Sequence, residues 1–188
     1  MNRKLTLALV IMAATVVVAP VLAMQDEDKP SKIGIRLAVV SPLDSNLRNL
    51  KSIWMGPAFD YHLKMDKENR PASYVSLAII RSGNQNSFQK GSITPLTYTM
   101  IKRRRINENQ LRYLGFGGGI CSVSIRDVRR VGINTVFIDG STYLPELHGV
   151  YGREFNAYFA EVQLNYMPKW KGDNWTFISL NVGTRFGI

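Results

Sequence analysis

The stretch WTFISLNVGTRF, residues 175–186, alternates between two kinds of side chain. Every second residue is apolar apart from Thr184, namely Ile178, Leu180, Val182 and Phe186. The residues between them are polar or small, namely Ser179, Asn181, Gly183 and Arg185. Strict alternation predicts a β-strand. Whether its apolar face points inward or outward separates a soluble fold from a membrane barrel.

Eight segments of the chain predict extended strands. They cover residues 32–40, 53–63, 73–81, 93–101, 110–125, 147–155, 157–167 and 175–186. Turn-rich stretches separate them, the longest over residues 126–146. No apolar stripe at helical spacing is longer than three turns. Eight regularly spaced strands of this kind predict an all-β sandwich or barrel.

One face of the predicted strands is bulky and apolar, and the other is small with single charges. In the segment 157–167, Val162 and Leu164 share the bulky face, whereas Glu161 and Gln163 share the other. A soluble barrel needs the bulky face inside, where side chains fill the interior at crystal-like density. The pattern instead favours a narrow interior and a bulky exterior facing lipid, with Trp and Tyr near the head groups.

Four charged residues fall in mid-strand on the small face, namely Arg36, Asp60, Glu161 and Arg185. An Arg or Lys on the lipid face of a barrel costs about 2–4 kcal/mol at the bilayer midplane. The charges of these lumen residues cancel, and a buried charge needs a partner. Glu161 and Arg185 lie on adjacent predicted strands and are expected to pair. Eight strands also make a closed barrel whose interior is just filled by side chains.

The N-terminus predicts a secretory signal peptide over residues 1–23. A short basic start with Arg3 and Lys4 precedes an apolar run over 5–22, and small residues near Ala23 suit cleavage. A retained membrane anchor is the alternative, since this run would just span a bilayer. A short tail, 24–31, then leads to the predicted barrel domain, 32–188. The single cysteine, Cys121, is expected to pack inside the fold.

Five basic residues cluster between the fourth and fifth predicted strands, where Glu108 is the one acidic residue. They are Lys102, Arg103, Arg104, Arg105 and Arg112. With both termini in the periplasm, this connection is a periplasmic turn and the 126–146 connection is an external loop. The turn is expected to face peptidoglycan, anionic head groups or only water. Nucleic acid is not an expected partner, because the KRRR run lacks the interleaved aromatic residues of a groove reader.

The stretches YLGFGGGICSV (113–123), YGREFNAYFAEVQLNYMP (151–168) and SLNVGTRF (179–186) share features with known barrels, as does KIGIRLAVVSPLDSNLRN (32–49). Together they resemble the small outer-membrane β-barrel family of the OmpA and OmpW type. The resemblance implies a single eight-stranded antiparallel up-and-down transmembrane barrel with Glu161 and Arg185 inside. It also implies the outer membrane of a Gram-negative-type bacterium, with membrane lipids as partners. We expect a monomer.

No catalytic, cofactor or metal site is predicted. The two histidines, His62 and His148, are isolated in sequence, and only Ser141 and Glu146 lie near enough to complete a nucleophilic trio with His148. We expect a non-enzymatic outer-membrane barrel with a structural or surface-interaction role, or a narrow pore. An exported soluble barrel of the lipocalin type, holding a small apolar ligand, is the main alternative. A lipid-modifying barrel enzyme is the less favoured one.

Overall fold

Strands dominate the computed structural model, which describes residues 31–65, 71–82, 89–107 and 109–187. The strands are β1 Ser31–Pro42, β2 Trp54–Met65, β3 Pro71–Ala78, β4 Ile80–Arg81, β5 Lys90–Asn107, β6 Gln110–Val131, β7 Asn134–Phe155, β8 Tyr158–Tyr166 and β9 Phe177–Gly187. One helix, α1 (Ser45–Leu50), lies between β1 and β2. The predicted signal peptide and almost all of the predicted tail lie outside the described residues, and both stay predictions.

The strands form one closed antiparallel ring. β3 and β4 are two parts of a single strand of this ring, because both pair with β2 and with β5. β1 pairs with β9 as well as with β2, so the described sheet has no open edge. The predicted eight-stranded antiparallel barrel is confirmed. In the described part of the chain, no helix has the length and hydropathy needed to cross a bilayer.

The interruption between β3 and β4 depends on a glycine in the facing strand. The Ile79 N–H donates to the carbonyl oxygen of Pro57 (3.0 Å). A Cβ added at Gly56 would overlap the carbonyl oxygen of Ile79 and lie 2.7 Å from its carbon. Side chains do not approach a backbone so closely, so this crossing of β2 and the third strand requires glycine at position 56.

The apolar face of the strands points outward. Leu164, Leu180 and Val182 are 52%, 49% and 45% exposed, whereas Glu161 and Arg185 are 2% and 6% exposed. A water-soluble barrel would show the reverse distribution, because burial of apolar surface drives its folding. The outward apolar face therefore fits lipid, as the alternation predicts. The side chain of Phe186 lies outside the described side chains.

The predicted 126–146 loop is wrong as a loop, because paired strands occupy it. The ladder between β6 and β7 continues from Arg126↔Asp139 to Val131↔Asn134. The hairpin turns at Gly132, whose φ of 64° lies in the left-handed region that favours glycine. Residues 132–137 are exposed on both faces, so burial imposes no alternation on them. A strand in water on both sides lacks the period-2 pattern that predicts strands elsewhere in this chain.

The predicted basic turn is also wrong as a turn. β5 continues to Asn107 and β6 begins at Gln110, so only residues 108–109 connect them. The five basic residues lie within these two strands, and from Lys102 to Arg104 they alternate in direction with the pleat. Arg103 points inward, while Lys102, Arg104 and Arg112 are exposed. A run of charged residues does not predict a strand, because charged side chains are also typical of turns.

An apolar core fills the half of the barrel that lies away from the chain termini. The rings of Trp54, Trp175 and Phe177 are fully buried, with the Trp54 centroid 6.3 Å from Trp175 and 5.7 Å from Phe177. Leu47 and Leu50 of α1 pack on this core at the end of the barrel away from the chain termini. The prediction that Trp lies among the lipid-facing aromatic residues is wrong for these two tryptophans. Packing inside the end of the barrel buries more of each indole ring than a position at the membrane–water interface would.

Cys121 lies in the same core and is completely buried. Its neighbours in the core include Val123 and Leu144, which are apolar. This placement agrees with the packing role expected from the sequence.

Candidate functional site

A network of buried charges occupies the other half of the interior, next to the terminal end where β1 begins and β9 ends. Glu161 of β8 accepts hydrogen bonds from Arg36 of β1, from the Tyr113 hydroxyl (2.7 Å) and from Gln163 (2.8 Å). Arg36 also donates to Ser76 Oγ (2.6 Å). Glu161 thus has a donor from β1, from β6 and from its own strand.

Asp60 completes this first cluster on the β2 side. Its Oδ1 lies 3.4 Å from Nη2 of Arg36, and both side chains are almost fully buried. A buried arginine between two carboxylates is stabilised by both of them, because Coulomb interactions are strong where water is excluded. The cluster joins β1, β2 and β8 across the lumen.

A second cluster lies closer to the terminal end. Glu154 of β7 accepts from Arg185 of β9 and from Nε (3.1 Å) and Nη2 (3.0 Å) of Arg103 on β5. The Arg185 guanidinium also lies 4.2 Å from the Phe159 ring centroid and 5.7 Å from that of Tyr113. Such stacking adds a cation–π contribution to the ion pairs. Tyr113 therefore touches both clusters and links them.

All four lumen charges named from the sequence, Arg36, Asp60, Glu161 and Arg185, are buried inside the barrel. The expected pairing of Glu161 with Arg185 is replaced by Arg36–Glu161 and Arg185–Glu154. The β8–β9 register explains the change, because Glu161 lies opposite Asn181. The Arg185 N–H donates to Ala157 at the β7–β8 turn (2.9 Å), nearer Glu154.

Sequence reasoning missed Glu154 and Arg103. Glu154 shares its strand face with His148, Val150 and Gly152, so extending the alternation to the end of that segment would have placed it inside. Arg103 carried no such signal, since its neighbours on both sides are basic. With both residues included, the two clusters contain three arginines and three carboxylates, so their formal charges cancel.

The histidines do not form a catalytic site. His148 Nε2 lies 2.9 Å from Thr99 Oγ1, and His148 Nδ1 lies 3.5 Å from Glu146. Ser141 lies on the opposite, outward face of β7 and is exposed, so the trio that a lipid-modifying enzyme would need is not assembled. His62 is buried, with its ring 6.1 Å from Tyr74. Among the described residues, no three His, Cys, Asp or Glu side chains are arranged to hold a metal ion.

Little free space remains between the apolar core and the charged clusters. The cavity there has a volume of about 30 Å³ and is lined by small and polar residues such as Ala38, Ala58 and Ser179. Ligand pockets are usually about 300–1,000 Å³, so an interior site for an apolar ligand of the lipocalin kind has no room. The outward apolar face contradicts that soluble alternative independently.

Solved structures with the same architecture identify the fold. The N-terminal β-barrel domain of Pseudomonas aeruginosa OprF matches with a TM-score of 0.53 at 13% identity, covering 85% of this chain and 100% of that one. The Neisserial surface protein A matches with a TM-score of 0.57 at 12% identity, covering 83% and 96%. This chain has the fold of the small outer-membrane β-barrels. No protein-family model matches the sequence, and the search of curated proteins gives no match.

The outer-membrane barrel can be oriented from its connections. The terminal end has the two-residue connections 108–109 and 156–157, whereas the opposite end has the longer connections 43–53 and 167–176 and the β6–β7 hairpin, which continues past the ring before it turns at 132–133. In barrels of this kind short turns face the periplasm and longer loops face the exterior. The terminal end is therefore periplasmic, and the apolar core and α1 lie at the extracellular end of a barrel in the outer membrane.

The extracellular loops of the barrel are joined by a polar network centred on Asp173. Its carboxylate accepts two hydrogen bonds from Arg129 of β6 (2.6 and 2.7 Å) and one from Asn46 of α1 (3.1 Å). The hydrogen bonds to Asp173 raise the pKa of Arg129, with a smaller contribution from Asp127. Asp173 is completely buried, so the network fixes the β6–β7 hairpin to two other loops.

Two further aspartates extend this network. Asp44 caps α1 by accepting from the Asn46 N–H (2.8 Å) and also accepts from the Asn174 N–H (3.1 Å). Asp127 accepts from Gln89 beside β5 (3.2 Å). The first, third, fifth and seventh connections thus meet in one hydrogen-bonded assembly, called here the extracellular platform.

Proposed function

We propose that this chain is a non-conducting, non-enzymatic outer-membrane barrel that binds partners at the cell exterior through its β6–β7 hairpin. The observation that carries the proposal is the height of this hairpin above the ring. Beyond Arg126, the last residue of β6 that pairs with β5, five further residue pairs continue from Asp127↔Ile138 to Val131↔Asn134. At about 3.4 Å per residue, they extend the two strands by about 17 Å.

The hairpin tip has the composition of an interaction surface. Ile133 is fully exposed, Phe137 is 75% exposed and Val136 is 41% exposed. Large apolar side chains grouped on a solvent-facing projection are typical of protein interaction sites. The Arg129–Asp173 hydrogen bonds hold the hairpin at the level of Val136, which lies directly opposite Arg129, so the apolar side chains are presented on a rigid support. This arrangement favours a surface-interaction role.

The filled interior supports a non-conducting barrel over a narrow pore. Trp54, Trp175 and Phe177 block the extracellular half, and the neutral pair of ionic clusters occupies the periplasmic half. An eight-stranded barrel has an interior only wide enough for its own side chains. Ions would have to displace both layers to pass.

Adhesion measurements test the surface role. Bacteria displaying the chain are applied to an epithelial cell layer and to bare polystyrene, and retained cells are counted. The variant Ile133→Ser/Phe137→Ser should lower retention, because it removes apolar contact area from the tip. Thr135→Ser, on the same strand, is the matched control and should behave as the original chain. Equal retention of all three proteins would contradict the proposal.

Planar-bilayer recordings test the closed lumen. The purified barrel should give no stepwise conductance. Trp54→Ala/Trp175→Ala should also stay silent, because the ionic clusters still close the periplasmic half, although each truncation should cost about 3–5 kcal/mol of stability. Discrete channels in the unmodified protein would overturn the non-conducting assignment and restore the narrow pore.

A further inference from the structure

Three arginines form a row on the outward face of the barrel near its periplasmic end. Arg104 of β5 lies directly opposite Arg112 of β6, and Arg112 lies directly opposite Arg153 of β7. All three are exposed. This set, called here the arginine row, differs from the basic cluster expected from the sequence, because it excludes the inward-facing Arg103 and includes Arg153.

The three positive charges of the arginine row repel one another. Like charges directly opposite each other on neighbouring strands destabilise a sheet. Among the residues that the structure describes, no carboxylate pairs with Arg104, Arg112 or Arg153. Glu154 is adjacent to Arg153 in the chain but points into the lumen, where it binds Arg103 and Arg185. Anions from outside the protein would remove this repulsion.

Apolar and aromatic side chains bracket the row on the surface. Leu114 and Tyr151, on the membrane side, are 66% and 46% exposed, and Phe155 and Tyr158, on the periplasmic side, are 40% and 39% exposed. Aromatic residues at such positions mark the level where barrel strands meet lipid head groups. The arginines therefore lie at the depth of the phosphates of the periplasmic leaflet.

On the side of β8 and β9, the row of charges ends at Arg153. The same row of the sheet continues on β8 and β9 as Ala160 and Val182, which are uncharged. Lys102, two residues from Arg104 on the membrane side of β5, is a further exposed cation. Among the described residues that pair along this row, the basic part is thus three strands wide, from β5 to β7.

We infer that the arginine row binds an anionic phospholipid of the periplasmic leaflet, with preference for a head group that carries two phosphates, such as cardiolipin. Neighbouring strands are about 4.8 Å apart, so the three arginines extend over about 10 Å. Guanidinium groups bind phosphate oxygens in pairs, and the central Arg112 can share two phosphates with its neighbours. Leu114 and Tyr151, on the membrane side of the row, contact the acyl chains, which a polysaccharide ligand does not possess.

Native mass spectrometry of the folded full chain tests this inference with cardiolipin, phosphatidylglycerol and phosphatidylethanolamine as probes. The unmodified barrel should retain cardiolipin most strongly and phosphatidylethanolamine least. Arg104→Gln/Arg112→Gln/Arg153→Gln should weaken cardiolipin binding about a hundredfold, since each basic residue near a membrane surface contributes about fivefold. The matched control Arg81→Gln/Lys90→Gln/Arg126→Gln removes as many exposed charges near the extracellular end and should keep the original affinity.

Three results would overturn the inference. One is unchanged cardiolipin binding by the triple variant, and another is equal binding of all three lipids by the unmodified barrel. The third is loss of co-sedimentation with purified peptidoglycan in the triple variant while cardiolipin binding persists, which would identify peptidoglycan as the ligand of the row.

Heat-dependent gel mobility reports whether the triple variant folds. If the triple variant does not fold, Arg112→Gln alone should weaken cardiolipin binding about fivefold, and no change would equally overturn the inference.

Discussion

Arg36 of β1 and Glu161 of β8 form a buried ion pair although 125 residues separate them in the chain. β9 lies between their strands in the ring, so the two side chains meet across its inner face. The contact therefore exists only after β1 has closed the ring against β9. Closure and lumen electrostatics are coupled, because the charges leave water only when the barrel is complete.

Glu161→Gln should destabilise the folded barrel by about 3 kcal/mol. It leaves the buried Arg36 with only Asp60 as a charged partner, and removal of one member of a buried pair is strongly unfavourable. Urea unfolding in lipid vesicles, followed by tryptophan fluorescence, measures the change. The triple variant Arg36→Met/Asp60→Asn/Glu161→Leu should cost less than Glu161→Gln, because it leaves no buried charge in the first cluster. A loss below about 1 kcal/mol for Glu161→Gln would contradict the assigned role.

Gly56→Ala should prevent assembly of the third strand against β2. The added methyl group would overlap the Ile79 carbonyl, and the backbones would have to separate. Gly149→Ala is the matched control, since nothing lies within 4 Å of a Cβ there, and it should change stability by no more than about 0.5 kcal/mol. The fraction of protein with heat-dependent gel mobility measures folding. Similar folded fractions for the two variants would show that the crossing tolerates a side chain.

Asp173→Asn should loosen the extracellular platform without unfolding the barrel. It weakens two charge-assisted hydrogen bonds to Arg129, each worth about 1.5–3 kcal/mol. Amide hydrogen exchange should accelerate at least about tenfold in 167–176 and around Arg129 in the β6–β7 hairpin, while the membrane strands keep their protection.

Asp139→Asn provides the control for this experiment. Asp139 pairs with Arg126 at 3.1 Å, but the two side chains are 61% and 57% exposed. Surface pairs contribute about 0–1 kcal/mol, so exchange should stay almost unchanged. An equal increase of the amide exchange rate in both variants would show that Asp173 does not hold the extracellular platform together.

Alternation alone determined the orientation of the strands in this protein. In residues 175–186 it assigned Leu180 and Val182 to the lipid face and Arg185 to the interior, as the structure has them. The signal is reliable because successive side chains of any strand point to opposite faces. The orientation of a strand can therefore be inferred without knowing which strands it pairs with.

Only the tertiary structure decided the pairing of charges and the shape of the extracellular end. Glu161 binds Arg36 and not Arg185 because the register of β8 against β9 places Asn181 opposite it. Arg103 and Arg104, adjacent in one basic run, face opposite sides because β5 continues through them.

The closed ring also determines the interior of the extracellular half, where Trp54 and Trp175 meet from opposite ends of the chain. The β6–β7 hairpin above it was not predictable, since strands exposed to water on both faces carry no alternation. Residue type and spacing therefore determined which way each membrane-facing strand presents its side chains. Partners were decided by ring closure and register, which depend on contacts between residues far apart in the chain.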